Sequence, residues 1–273
     1  MDVFAAGAIF LVAYALIASE RLDRTLIALL GGLLVVVVGI VDQEEAFAAI
    51  DFNVIFLLAG MMVLAGGLSK TGFFEFIAGY AIHFSRGQPF RLLIILSVLT
   101  AVLAAVLDNV TTGVLLTPVT LSIARTLRVS PFPYLISQIF ASNIGGTATL
   151  IGDPPNILIG SAAGLDFGAF LLNLAPVVVI IMFAFVGIMW LAFGRNMEDD
   201  ADRLDILATV DPGAAIKDRP LMIRALVVLG LTLVGFLFHS VLGLEAATIA
   251  LLGATVLMLV GPLDPHEALR DVE

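Results

Sequence analysis

The sequence has no cysteine and very little charge. Without cysteine there is no disulfide, no thiol nucleophile and no thiolate-ligated metal site. The three histidines, His83, His239 and His266, stand far apart and form no metal-ligand spacing. Charged residues make up 13% of the 273 positions, whereas a soluble domain charges about a quarter of its residues. A conventional water-facing surface is therefore excluded. The 13 basic residues are outnumbered by 23 acidic ones, for a net charge of −10, which argues against a polyphosphate partner such as nucleic acid. Met1-Asp2-Val3 lacks the basic segment that opens a cleaved signal peptide, so the first apolar run is expected to be a retained span.

What is present is apolar. Hydrophobic residues make up 60% of the chain, in runs at about 4–19, 25–41, 52–68, 92–107, 113–124, 131–165, 167–193, 221–242 and 246–263. A membrane-spanning helix needs about 20 such residues, so the expected fold is an all-α polytopic membrane protein. The segment 71–85 mixes Phe, Tyr and Ile with Glu75 and His83 and reads as an interfacial amphipathic helix. The polar stretch 195–220 reads as a linker, and the acidic run 198–205 within it as a solvated face.

Lys and Arg are retained on the cytoplasmic side. With the N-terminus outside and the linker 195–220 cytoplasmic, all 13 basic residues fall inside. The outer loops then hold Asp42, Glu44, Glu45, Asp51, Asp166 and Glu245, and no Lys or Arg.

An internal repeat supports that parity. Residues 27–51 align without a gap onto 249–273 with ten of 25 positions identical, including IALLG, Asp42/Asp264 and Glu45/Glu267. Under the charge-derived topology the two copies run in opposite directions, as in an inverted-repeat transporter. The expected organisation is a first repeat over 1–194, the linker 195–220, and the start of a second repeat over 221–273 that stops before its own polar elements. The first repeat comprises scaffold helices (4–68), the interfacial helix (71–85), a re-entrant hairpin (92–124), a broken helix (131–165) and a further helix (167–193).

On this map two carboxylates, Asp108 and Asp153, lie at membrane depth, where an ionisable group costs at least ~2.5 kcal/mol and marks function. Asp108 opens DNVTTG (108–113). As helix, the arms around it, 92–107 and 112–125, reach only ~24 and ~18 Å, short of the ~30 Å hydrocarbon core. That favours a re-entrant hairpin with a polar tip; the alternative is two ordinary spans joined by an outer Asp-Asn turn. The second segment, SNIGGTATLIGDPPN (142–156), carries three glycines and two prolines and is not expected to form regular helix. One helix interrupted at mid-depth accounts for it, and an outer loop between two short helices is the alternative. Broken backbone within a membrane is tolerated where it faces protein or a water-filled cavity, and there it ligates ions.

These motifs, LDNVTTGVLLTPV and SNIGGTATLIGDPPN together with FLLAGMMVLAGGLSKTGFFE (56–75), resemble the ion transporter superfamily. The nearest likeness is to its arsenite-permease (ArsB) and NhaD-type sodium/proton antiporter group, and to members related to the melanosomal pink-eyed-dilution protein. The resemblance implies two inverted five-helix repeats, a homodimer and elevator-like alternating access. It implies a substrate or ion site built from Asp108, Asn109, Thr111 and Thr112 of the hairpin tip. The opposing segment contributes Ser142, Asn143, Gly145, Gly146, Thr147, Thr149, Asp153 and Asn156. Coupling would be to Na+ or H+, with Na+ held at Asn109, Thr112, Ser142, Asn143 and nearby backbone carbonyls. No other cofactor and no catalytic residue is expected, and an arsenite-extruding member would pair with a cytoplasmic ATPase. Dicarboxylate transporters of the superfamily carry a Ser-Asn-Thr tip and a Thr where Asp153 stands. The two carboxylates here disfavour citrate or another polyanion and suit a cation, a proton or a neutral metalloid such as arsenite. A di- or tricarboxylate symporter is the alternative reading. An intramembrane aspartyl protease is a remote one, since Leu150-Ile151-Gly152-Asp153 lacks the first glycine of its motif.

Overall fold

A computed structural model describes residues 2–197 and 211–270. The acidic run 198–205 and the last three residues of the repeat lie outside the described residues. Every regular element among the described residues is helical. Four helical stretches, Gln43–Lys70, Pro89–Leu107, Phe167–Ala192 and Arg219–Leu242, are long and apolar enough to cross a membrane. Large apolar side chains such as Phe183 and Leu172 are three-quarters exposed. With so little charge around them, lipid is their natural solvent, and the protein is all-α and polytopic.

Two compact units are present, Met1–Phe52 and Asn53–Glu273. The first holds α1 (Asp2–Ala18), α2 (Arg24–Val37) and α3 (Gln43–Ala48). Asp23 caps α2 by accepting from the Thr25 and Leu26 amides, and Asp42 caps α3 by accepting from Glu45 N at 2.7 Å.

The second unit contains α4 (Phe52–Lys70, from Asn53 onward), α5 (Phe73–Ser85), α6 (Pro89–Leu107), α7 (Asn109–Thr126), α8 (Phe132–Gly146), α9 (Pro154–Ala163), α10 (Phe167–Ala192), α11 (Arg219–Leu242), α12 (Ala246–Val260) and α13 (Pro265–Arg270). Local chemistry sets the boundaries. Asp166 and Asp218 cap α10 and α11 through the Ala169 and Leu221 amides. Pro154 and Pro155 start α9, where a missing N–H costs nothing. Gly164 ends it in the left-handed region, at φ 64°. Like α2–α3 in the first unit, α12 leads through a tight turn to the short α13, and Asp264 accepts from the His266 amide at 2.9 Å. The aspartates paired in the sequence repeat thus take up the same capping duty.

Contacts within the second unit sort into two ends. At one, Lys70 pairs with Glu267 at 3.1 Å, Tyr134 donates to Pro89 O, and Arg224 donates to Val260 O. At the other, Ser240 donates to Asp166. Asn53, Leu165, His239 and Glu245 line one cavity there. Every described Lys and Arg of this unit falls in segments at the first end, which we call the basic end. One core is built on Leu57, Met61, Leu64 and Leu68 of α4 against Met222, Leu229 and Phe236 of α11 and Ala250 and Leu257 of α12. A second joins Leu92, Leu93 and Leu96 of α6 to Ile123, Tyr134, Phe185 and Met189. Met61 is thus a packing residue.

Two sequence expectations need correction. The arms of the hairpin are longer than the apolar runs suggested. Pro89 starts α6 three residues early and Asn109 starts α7 immediately after the tip, giving 19 and 18 residues, or ~28 and ~27 Å. Short arms therefore do not argue for re-entrancy. Nor is 142–156 irregular throughout: α8 continues to Gly146, and only 147–153 leave the helix.

Tip depth rests on a different observation. Close pairs 89/134, 101/145 and 105/149 show α6 and α8 running parallel from the basic end. Past the break, α9 carries the chain on to the opposite end. Its ten residues span ~15 Å, so the α6–α7 tip beside the break stops about half a hydrocarbon thickness short of that end.

Candidate functional site at the hairpin tip

Asp108 has to turn the chain between two antiparallel helices without a connecting loop. It adopts φ 89° and ψ 158°, a conformation rare for any residue but glycine. Its Oδ1 accepts from Thr111 N at 2.8 Å, and its side chain is 4% exposed. The carboxylate therefore closes the first turn of α7. Asp153 holds the corresponding place before α9 but makes no capping bond. Its carboxylate faces the Asn109 side chain and lies near enough to Asp108 for the two charges to interact.

Asn109 ties hairpin to broken helix. Its backbone N–H donates to Gly152 O at 3.0 Å, and its Nδ2 donates to Asn143 Oδ1 at 3.3 Å. Asn143 in turn donates to Ile139 O at 2.8 Å. Asn156 reaches back across the break, donating to Thr149 O at 2.9 Å and Gly146 O at 3.2 Å. Thr149 donates to Ala105 O and accepts from Gly152 N. One connected network thus contains Asn109, Asn143, Gly146, Thr149, Asn156 and Gly152, flanked by Asp108 and Asp153.

Glycine permits the close approach. A Cβ on Gly146 would lie 2.5 Å from Gly152 O, and one on Gly152 would lie 2.4 Å from Gly146 O. Gly145 faces elsewhere: its Cα packs on the Ala101 backbone of α6. Thr147 donates to Asn143 O and is exposed. Ser142 is buried and back-bonds to Ile139 O. Thr111, whose side chain stands beside the Asp108 carboxylate, also lines a cavity of about 460 Å3 between α4 and α7, which runs from Lys70 and Arg270 at the basic end toward the tip.

Two buried oxygens at the tip, Asn109 Oδ1 and Thr112 Oγ1, have no hydrogen-bond partner among the described residues. An unsatisfied buried polar atom is expensive, and unpaired oxygens beside two carboxylates are suited to a cation or to water. Two helix N-termini, those of α7 and α9, and the C-terminus of α8 converge here, bringing partial charge of both signs. Among the described residues there is no cluster of three or more His, Asp or Glu able to hold a metal; the oxygens gathered at the tip are those of amides, hydroxyls and backbone carbonyls beside the two carboxylates.

Sequence reasoning passed over Gly152, whose carbonyl anchors the tip; it counted there only as a helix breaker. It also missed the buried pair Thr120–Gln138, joined at 2.9 Å between α7 and α8. Nothing local distinguishes that threonine or that glutamine from others in apolar runs.

Comparison with known proteins yields a consistent set. The model of a family described as citrate transporter (CitMHS) matches residues 14–273. An uncharacterized transporter of Mycobacterium tuberculosis is 43% identical over 269 residues, covering 97% of this chain and 62% of that protein. A 46 kDa membrane protein of Mycobacterium leprae is 40% identical over 269 residues, covering 97% and 63%. The human P protein is 43% identical over 175 residues, covering 60% and 21%. The chain therefore spans a little under two thirds of the length of its mycobacterial relatives. The resemblance to the ion transporter superfamily holds.

Proposed function

The chain belongs to the citrate transporter family, and from that premise we propose that it carries one half-site of a secondary active transporter for a small inorganic ion or metalloid. Arsenite or anion efflux and Na+/H+ antiport are the reactions in view, driven by proton or sodium coupling and elevator-like alternating access. The observation that carries this reading is the Asn109–Asn143 contact flanked by Asp108 and Asp153. Oxygen-rich, anionic surroundings attract cations and repel polyanions.

Na+ would lie among Asn109, Thr112, Ser142 and Asn143, drawing on the two unpartnered oxygens. The shared local geometry of α2–α3 and α12–α13 supports a repeat, which the charge-derived topology makes an inverted one, and its second copy would supply the facing half-site. The basic end is assigned to the cytoplasm of an inner-membrane protein with its N-terminus outside, by retention of Lys and Arg. The working form is a homodimer. Membership of a citrate transporter family favours a second reading, a di- or tricarboxylate symporter. Its ligand would need bound protons or cations to offset its charge beside Asp108 and Asp153.

The test uses everted membrane vesicles from cells making the protein, with a fluorescent reporter of the pH gradient. Added Na+ should collapse the gradient, and Asp108→Asn and Asp153→Asn should each abolish the response. Uptake of labelled citrate that both variants leave unchanged would overturn the proposal.

A further inference from the structure

On the flank away from the tip network, α6 and α8 leave an apolar groove of about 440 Å3 against α10. Ile94, Val102, Val179 and Val186 form its walls, and the small residues Gly145 and Ala148 of the broken segment form its floor. Along α6 it extends from Ile94 to Ala105 and along α10 from Ala175 to Val186, about 17 Å in each case. That is close to the hydrocarbon depth of one bilayer leaflet, about 15 Å.

The two ends of the groove differ. Its deep end reaches Ala105 and Ala148, close to the level of the hairpin tip. One turn beyond Ile94, on the same helix face, stands the exposed Arg91. Beyond Val186 come Trp190, half exposed, and then the exposed Arg195. Trp190 packs beside Phe90 and Gly194. Neither arginine has an ion-pair partner among the described residues. An apolar slot one leaflet long, with an indole and two guanidinium groups at its open end, matches an acyl chain joined to an anionic headgroup.

We infer that this groove binds one acyl chain of an anionic phospholipid from the leaflet at the basic end, with Arg91 and Arg195 holding its phosphate. The chain would lie on the backbone of Gly145 and Ala148. The lipid would therefore buttress the broken helix from behind the ion site without entering it.

Trp190 is the only tryptophan in the sequence, so its fluorescence reports on this location alone. The protein is reconstituted into phosphatidylcholine vesicles containing a small fraction of brominated-chain lipid, either phosphatidylglycerol or phosphatidylcholine. The brominated anionic lipid should quench Trp190 well beyond its zwitterionic counterpart at equal mole fraction. The apparent preference should fall about five-fold for each of Arg91→Gln and Arg195→Gln. Ala175→Phe, which fills the groove, should remove the excess quenching while leaving headgroup chemistry intact. Equal quenching by the two lipids in the unaltered protein would overturn the inference, and that comparison needs no variant to fold. So would excess quenching that survives Ala175→Phe in monodisperse protein.

Discussion

Replacing Gly145 with alanine tests whether the spacing of α6 and α8 holds the tip in place. A Cβ at 145 would sit 2.1 Å from Ala101 O, 2.4 Å from its Cα and 2.5 Å from its carbonyl carbon. Ordinary carbon contacts begin near 3.5 Å, so the helices must part by roughly 1 Å. All three obstructing atoms are backbone, and trimming Ala101 to glycine cannot relieve them. Overpacking of this kind costs about 1–3 kcal/mol. Separation also strains the Thr149–Ala105 and Asn109–Gly152 hydrogen bonds that bridge the same interface, each worth about 1 kcal/mol. A total near 4 kcal/mol corresponds to a fall in Tm on the order of 10 °C for a chain of this size.

Gly113 is the control. It lies in α7 with nothing within 4 Å of a built Cβ, so Gly113→Ala should hold or raise Tm, since alanine is worth about 1 kcal/mol over glycine in a helix. Both variants are compared with the unaltered protein by thermal unfolding in one detergent at one scan rate, because membrane proteins often unfold irreversibly. If Gly145→Ala shifts Tm no more than Gly113→Ala does, or if Ala101→Gly rescues it, the backbone-contact argument is wrong.

Three further expectations can be checked with the same preparations. Asp108→Gly should relieve the strained φ of 89° and raise Tm, by about 1 kcal/mol net of the lost cap, while abolishing transport. A variant both destabilised and active would contradict the assignment. Thr120→Val strands the Gln138 amide in the core and should cost about 1–3 kcal/mol, whereas Thr120→Val with Gln138→Leu should recover most of that loss; a double-mutant cycle by denaturation measures the difference. Because the chain has no cysteine, single cysteines can report sidedness. Ser130→Cys should react with an impermeant maleimide only from the cytoplasmic face and Glu245→Cys only from outside, and labelling of both from one face would refute the topology.

What could be read from the sequence follows from what each residue is able to signal alone. The polar islands 108–113 and 142–156 were legible because carboxylates, amides and glycines are conspicuous in hydrocarbon. Asp42 and Asp264 were visible as shared polar positions beyond an apolar run, whereas their capping bonds came only with the structure. Helix ends were less legible. The residues around Pro89 are too polar to extend an apolar run, yet proline at the first turn is helix-compatible, so counting hydrophobic residues shortened α6. Gly145 and Gly146 read as breakers by propensity, and tertiary packing overrode that because their missing side chains are what allow two backbones to touch.

The same packing argues for how the site works as a unit. Asn109 belongs to the hairpin and Gly152 to the break, and the bond between them is backbone to backbone, so no side-chain rotation can release it. Thr149 and Asn156 add contacts on either side. A tip fixed this way has little freedom to open alone as a gate. Under the alternating access proposed above, hairpin and broken helix would move together against α4, from which the cavity between Lys70 and Thr111 parts them. Crosslinking distinguishes the two. A reducible crosslink between Thr120→Cys and Gln138→Cys, whose native side chains meet between α7 and α8 away from the tip, should leave transport intact if the elements travel as one body. Loss of transport that returns on reduction would show that they must part.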